Sequence, residues 1–156
     1  MNLTRRNVLK TGGGAGLLAL LAVAGIVRPQ AARAAEWNQK AFEAKNIKDA
    51  FEALGAGSRI DTADIVMTAP EIAENGAVVP IAAASKLPGT ESIAILIAKN
   101  PTALAASFDI PSGTEPSIST RVKLAETSEV HVLVKAQGKY YVTKKEIKVT
   151  IGGCGG

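Results

Sequence analysis

The sequence predicts a mainly β protein: an immunoglobulin-like antiparallel β-sandwich with an N-terminal helix and a flexible C-terminal glycine arm. Three observations predict it. After Gly57, apolar side chains recur at alternate positions in seven or eight short runs, with turn signals roughly 8–12 residues apart. Before Gly57, the apolar spacing is that of a helix. The chain ends Gly152-Gly153-Cys154-Gly155-Gly156, four glycines around its one cysteine. Such a run packs no side chains and forms neither helix nor strand by itself.

The first 34 residues have the organisation of an export signal. Arg5 and Arg6 are adjacent within Thr4-Arg5-Arg6-Asn7-Val8-Leu9-Lys10, and a glycine-rich apolar run follows from Gly12 to Val27. Ala32-Arg33-Ala34 is a small-x-small cleavage site, and the basic residues near it mark the twin-arginine route to the periplasm. The apolar run is shorter than the roughly 20 residues that span a bilayer. Five of the 18 basic side chains and none of the 14 acidic ones lie in this segment, leaving 13 against 14 in residues 35–156. The basic character therefore belongs to the signal, and nothing marks the remainder as a nucleic-acid binder. That remainder divides into a helix plus sandwich over 35–151 and a swinging arm over 152–156. A single cysteine forms no internal disulfide, so packing alone holds the core.

Glu36 to Leu54 is expected to be one amphipathic helix. Trp37, Ala41, Ala44, Ile47, Phe51 and Leu54 fall on one face, and Lys40, Glu43, Lys48 and Glu52 largely on the other. Gly55 and Gly57 supply its stop. Trp37 and Phe51 are read as core or subunit-contact anchors.

Strands are expected over Asp64–Thr68, Ala77–Ala84, Glu91–Lys99, Ala103–Ile110, Ser117–Leu124, Glu129–Ala136, Tyr140–Thr143 and Glu146–Ile151. Asn75-Gly76, Asn100-Pro101 and Gln137-Gly138 supply turns. Pro80 has no N–H to give a ladder, which predicts an edge strand. Ile93, Ile95 and Ile97 alternate on one face, as do Val130, Val132 and Val134, which turns His131 the other way as a solvent-side or interface residue. Ile147, Val149 and Ile151 face one way in the last strand and root the arm.

Catalytic constellations are missing from the sequence. One cysteine and one histidine do not supply a three- or four-ligand metal site. Pairing Cys154 with His131 requires the tail to fold back, and no orienting third group is evident. Asp61 and Asp64 lie in a turn-like stretch where carboxylates cap or solvate. Lys144, Lys145 and Lys148 read as a solvated strand face. No phosphate loop occurs. Glycine neighbours supply no cation to lower the thiol's pKa, so Cys154 is expected to stay mostly protonated at neutral pH. The arrangement points to a thiol that holds a covalent cargo and is activated by whichever partner receives it. In an oxidising compartment it is also prone to a disulfide-linked dimer through Cys154.

The chain resembles the SoxY family, sulfur-carrier subunits of the periplasmic Sox thiosulfate-oxidation system. The resemblance rests on Val149-Thr150-Ile151-Gly152-Gly153-Cys154-Gly155-Gly156, on Pro70 to Gly76, on Val79-Pro80, on Lys99-Asn100-Pro101 and on Arg121 to Ser128. Val8 stands where phenylalanine is commoner in twin-arginine signals. The resemblance implies a heterodimer with a SoxZ-like subunit and no cofactor of its own. It implies that Cys154 carries sulfur intermediates. A haem-containing enzyme would join thiosulfate to the thiol as cysteine S-thiosulfonate. A dinuclear-manganese hydrolase would release sulfate and leave a persulfide. A sulfane dehydrogenase, where present, would oxidise the outer sulfur before a second hydrolysis.

Other chemistries fit less well. A ubiquitin-like carrier activated at Gly156 as a thiocarboxylate needs cytoplasmic ATP, against the export signal. A prenylated tail needs its cysteine fourth from the end, and Cys154 is third. A subunit whose Cys154 makes only an interchain structural disulfide is the remaining alternative.

Overall fold

Two short helices and nine strands follow one another in the computed structural model, which describes residues 37–150. They are α1 (Gln39–Glu43), α2 (Ile47–Ala53), β1 (Ile60–Asp61), β2 (Ile65–Thr68), β3 (Ile72–Ala73), β4 (Val79–Ser85), β5 (Thr90–Ile97), β6 (Leu104–Asp109), β7 (Ser117–Val122), β8 (Ser128–Ala136) and β9 (Lys139–Val149). The export segment with Arg5 and Arg6, and the arm with Gly152, Gly153, Cys154, Gly155 and Gly156, lie outside the described residues.

One sheet has the order β1-β9-β8-β5-β6, with β3 also paired to β9, and the other has the order β2-β4-β7. The ladders are antiparallel, except that β1 and β3 run parallel to β9 over two residues each. Between the sheets, Ile93, Ile95 and Ile97 of β5 and Val130, Val132 and Val134 of β8 meet Ile81, Ala83 and Val122 from the smaller sheet. This is the expected sandwich. A third layer lies on the far face of the larger sheet, where Ala41, Ala50 and Phe51 from the helices cover Ala94, Leu96, Leu133 and Val142. Ile93 through Ile97 are consequently all buried. The alternation of isoleucines with alanine and leucine in β5 separates two cores rather than core from water.

The single helix expected over Glu36–Leu54 is two helices. Asn38 caps α1 through Oδ1, which accepts from Ala41 N at 3.1 Å. The chain then turns extended at Ala44, and Asn46 caps α2 by accepting from Asp49 N at 2.9 Å. An asparagine oxygen competes well for the unpaired amides of a helix start, so Asn46 begins a new helix instead of continuing the old one. The carbonyl freed at Ala44 accepts from Ala103 N at 2.8 Å, which ties the break to the sheet. The stop at Gly55 is as expected. With φ at +77°, Gly55 donates to Glu52 O, and Ala56 donates to Phe51 O at 2.8 Å, a Schellman closure. Of the two aromatic anchors, Phe51 is 1 % exposed and Trp37 is 68 % exposed, so Phe51 alone belongs to the core.

Two strand expectations also change. The strand carrying Pro80 is the middle of its sheet rather than an edge. The ladder with β2 covers only Ala82–Ser85 of β4, whereas the ladder with β7 continues to Val79. Pro80 therefore sits where the strand has one neighbour, and its missing N–H costs no rung. The runs expected at Tyr140–Thr143 and Glu146–Ile151 form one strand through Lys144 and Lys145, paired to β8 from Lys139 to Ile147. Ile151 lies outside the described residues. Gln137 and Gly138, both at positive φ, make the turn into β9.

Candidate functional site

The last described residues of β9 immediately precede Ile151 and the glycines around Cys154 in the sequence. The regular ladder with β8 ends at the pair Ser128–Ile147. Three further contacts carry the strand past that point. Lys148 N donates to Glu71 O at 2.9 Å, Val149 N to Thr127 Oγ1 at 2.9 Å, and Thr150 N to Ala73 O at 3.1 Å. Successive amides thus point alternately to the β3 side and the β8 side, as strand geometry requires. The Thr150 hydroxyl adds a bond to Glu74 O at 3.3 Å. Both edges are held up to Thr150, beneath which Ile147 is fully buried.

The acceptors on the β8 side are themselves fixed. Asn100 spans the turn before Thr127, donating through Nδ2 to Lys123 O at 2.7 Å and accepting from Ala125 N at 2.9 Å. Ser128 Oγ accepts from Lys99 N at 3.0 Å. On the β3 side, Leu124 N donates to Gly76 O at 2.7 Å and joins the two halves. Thr127, Thr150, Ala73, Glu74 and Asn100 were not singled out individually as functional from the sequence. Their signal was the motif-bearing segments 70–76, 99–101 and 121–128, whose convergence on one point requires the fold.

His131 lies elsewhere and corrects an expectation. It faces away from the valine core, but α2 covers that side: the side chain is 12 % exposed and meets Phe51 edge-on. Nε2 is buried without a hydrogen-bond partner, and the Glu129 carboxylate is 3.5 Å away. Burial, and then the Lys144 and Arg59 cations, push its pKa down, outweighing the pull of Glu129. His131 is largely covered by α2, and its partner across the ladder is Lys144 rather than the last residues of β9. An open groove of about 510 Å³ beside it is lined by Gly57, Ser58, Arg59, Asp61, His131, Val142 and Lys144. Its two cations are partly offset: Lys144 is bonded to Glu129 at 2.9 Å, and Asp61 carries the opposite charge.

The other candidates have structural places. Asp64 accepts from the Thr62 hydroxyl at 3.3 Å within an exposed turn. Lys144 and Lys148 are exposed as expected, whereas Lys145 is partly covered and donates to Ala69 O at 3.1 Å. Among the described residues, no three histidine, cysteine, aspartate or glutamate side chains gather as a metal site. No helix among them is long and apolar enough to cross a membrane.

The fold is a β-sandwich domain whose last strand is held on both edges up to Thr150, and the sequence has its one cysteine at position 154. The family model for sulfur oxidation protein SoxY matches residues 51–154, ending on that cysteine. The sulfur carrier protein SoxY from Chlorobium limicola f thiosulfatophilum has a similar structure: 39% identity, TM-score 0.62, covering 72% of this chain and 99% of that one. The chain belongs to the SoxY family: it is a sulfur carrier of the Sox system for thiosulfate oxidation, a substrate carrier rather than an enzyme. A superoxide reductase (neelaredoxin) from Ignicoccus hospitalis is 17% identical over 55% of this chain and 78% of its own, with TM-score 0.48. That likeness is too slight to carry an argument. Comparison with curated proteins gives no match.

Proposed function

We propose that Cys154 is the covalent attachment point for sulfur intermediates and that Gly152, Gly153, Gly155 and Gly156 serve as the arm that presents it. The observation that carries this reading is the position of the chain's one cysteine, four residues beyond a strand end held on both edges. A fixed root and a side-chain-free segment together let the thiol enter a recessed site while the domain stays outside. Glycine offers no bulk to obstruct such a passage.

The chemistry follows from the thiol. Oxidative coupling forms a bond between Cys154 Sγ and the outer sulfur of thiosulfate, releasing one proton and two electrons to a haem-containing enzyme. The product is cysteine S-thiosulfonate. Water then cleaves the bond between the sulfane sulfur and the sulfonate group on a manganese hydrolase, giving sulfate and a Cys154 persulfide. A sulfane dehydrogenase, where present, takes the outer sulfur onward. The carrier needs no cofactor of its own for these steps. We further propose periplasmic residence after twin-arginine export through Arg5 and Arg6, and a heterodimer with a SoxZ-like subunit.

Intact-mass analysis of the protein purified from cells respiring thiosulfate tests the reading. Thiosulfonate and persulfide mass additions that map to Cys154 are expected. An unmodified Cys154 in actively oxidising cells, or one found only in a disulfide with a second copy, would overturn it.

A further inference from the structure

Among the described residues, one buried side-chain polar atom is left without a hydrogen-bond partner, His131 Nε2. An unpaired buried polar atom costs stability and calls for a reason. His131 lines the groove of about 510 Å³ together with Ser58, Arg59, Asp61 and Lys144. The floor of the groove is the helix-side face of the larger sheet, where His131 stands opposite Lys144 and Leu133 opposite Val142. Its wall is the segment from Gly57 to Asp61 that follows the close of α2.

The charges in this groove are not matched pair by pair. Glu129 accepts from Lys144 Nζ at 2.9 Å, and its other oxygen lies 3.5 Å from His131 Nε2. Arg59 is fixed without a carboxylate: Nη1 donates to Ala56 O at 3.3 Å, and the guanidinium carbon lies 4.0 Å from the centroid of the Phe51 ring. Among the described residues, neither Arg59 nor Asp61 forms an ion pair. A guanidinium carries several N–H groups in a planar fork, so Arg59 still has donors for an oxyanion. Ser58 brings a hydroxyl to the same lining.

His131 can change this balance. A proton on the ring makes Nε2 a donor to Glu129, and the carboxylate then has a partner other than Lys144. Lys144 Nζ is thereby released toward the groove. The charged groups facing the imidazole are Glu129 from its own strand, Lys144 from β9 and Arg59 from the loop. The neighbours from β5 and α2 are Leu96 and Phe51, and neither titrates. Burial disfavours the charged ring in the empty groove, and a bound anion opposes that effect.

We propose that the groove between Arg59, Lys144 and His131 is a binding site for a doubly charged tetrahedral oxyanion of the sulfate class. Arg59 and Lys144 hold the anion, and one proton is taken up on His131 as it binds. The site does not involve Cys154 and is independent of that residue's role.

Sodium sulfate titrated calorimetrically into the full-length chain, with ionic strength held constant by sodium chloride, tests it. One equivalent is expected to bind saturably, and roughly three-fold or more tightly at pH 5.5 than at pH 7.5. The chain has one histidine, so a single imidazole NMR signal reports on the site. Its titration midpoint should move to higher pH as sulfate is added. Arg59→Gln and Lys144→Gln should each weaken binding roughly ten-fold. Asp61→Asn should tighten it, a gain that damage to the fold does not produce. His131→Gln should lose most of the pH dependence. Should Arg59→Gln fail to fold for want of its contact with Phe51, the change at exposed Lys144 carries the same expectation. Thiosulfate has the same charge on a similar tetrahedron and should bind within about three-fold of sulfate. Binding of thiosulfate alone, or loss of binding in Cys154→Ser, would place the anion at the thiol and overturn the groove. No saturable binding of sulfate, or unchanged affinity in both the Arg59 and Lys144 variants, would overturn it as well.

Discussion

Phe51 and His131 meet edge to face, with ring centroids 5.8 Å apart and planes inclined by 78°. The contact joins α2 to the middle of β8 and explains why a histidine sits in a strand buried on both faces. Phe51 is held from its other side by Arg59, whose guanidinium carbon lies 4.0 Å from the ring centroid. The imidazole thus faces an aromatic edge from α2, a cation from the loop beyond it, Glu129 from its own strand and Lys144 from β9.

This surrounding gives stability a definite pH dependence. The folded chain holds the His131 pKa below its usual 6.5, chiefly through burial. The unfolded chain therefore binds the proton more readily, and stability falls as pH drops below about 6.5 until the lower folded pKa is passed. Glu129, lowered from 4.5 chiefly by Lys144, contributes stability that is lost only at more acid pH. Urea midpoints at pH 7.5 and pH 5.5 should differ for the parent chain and differ less for His131→Gln. Equal slopes in the two proteins would refute the assignment.

Phe51→Ala should be the most damaging single truncation on the helix side. Phe51 is 1 % exposed and is among the largest fully buried side chains. Its removal is expected to cost roughly 3–5 kcal/mol, measured by chemical denaturation. Loss of α2 protection in hydrogen exchange should accompany it.

Thr127→Val tests the root of the arm. Val149 N loses its 2.9 Å acceptor, a change expected to cost about 1 kcal/mol locally. Hydrogen exchange at the Val149 amide should speed up while the amides of the β8–β9 ladder keep their protection. Thr127→Ser should restore slow exchange, since the hydroxyl alone is required.

Cys154→Ser should leave stability within about 0.5 kcal/mol of the parent and abolish thiosulfate-dependent turnover. A drop in stability comparable to a core truncation would show that the cysteine serves the fold instead.

Most of the fold could be read from the sequence, because alternation and turn residues report directly on strands. The failures have physical causes. Asn46 falls inside the single helix expected over Glu36–Leu54, and periodicity does not reveal that its oxygen caps a new one. Pro80 predicts an edge because sequence shows the missing N–H but not how far a neighbouring strand extends. Alternation with valines turns His131 to the other face as a solvent-side or interface residue, and the α2 layer makes that second face a core as well. Ile60–Asp61 and Ile72–Ala73 are too short for any periodicity, and they pair with residues 81 and 76 positions away. The cysteine and its glycines were legible at once. The parts that hold their root were not, being carbonyls and single hydroxyls gathered from three remote segments.

The flanking of β9 has a mechanical consequence. Its hydrogen bonds to β8 on one edge, and to β1 and β3 on the other, run across the strand. A pull on Thr150 directed along the strand loads those bonds in shear together. The strand is thus anchored against a pull from its C-terminal end.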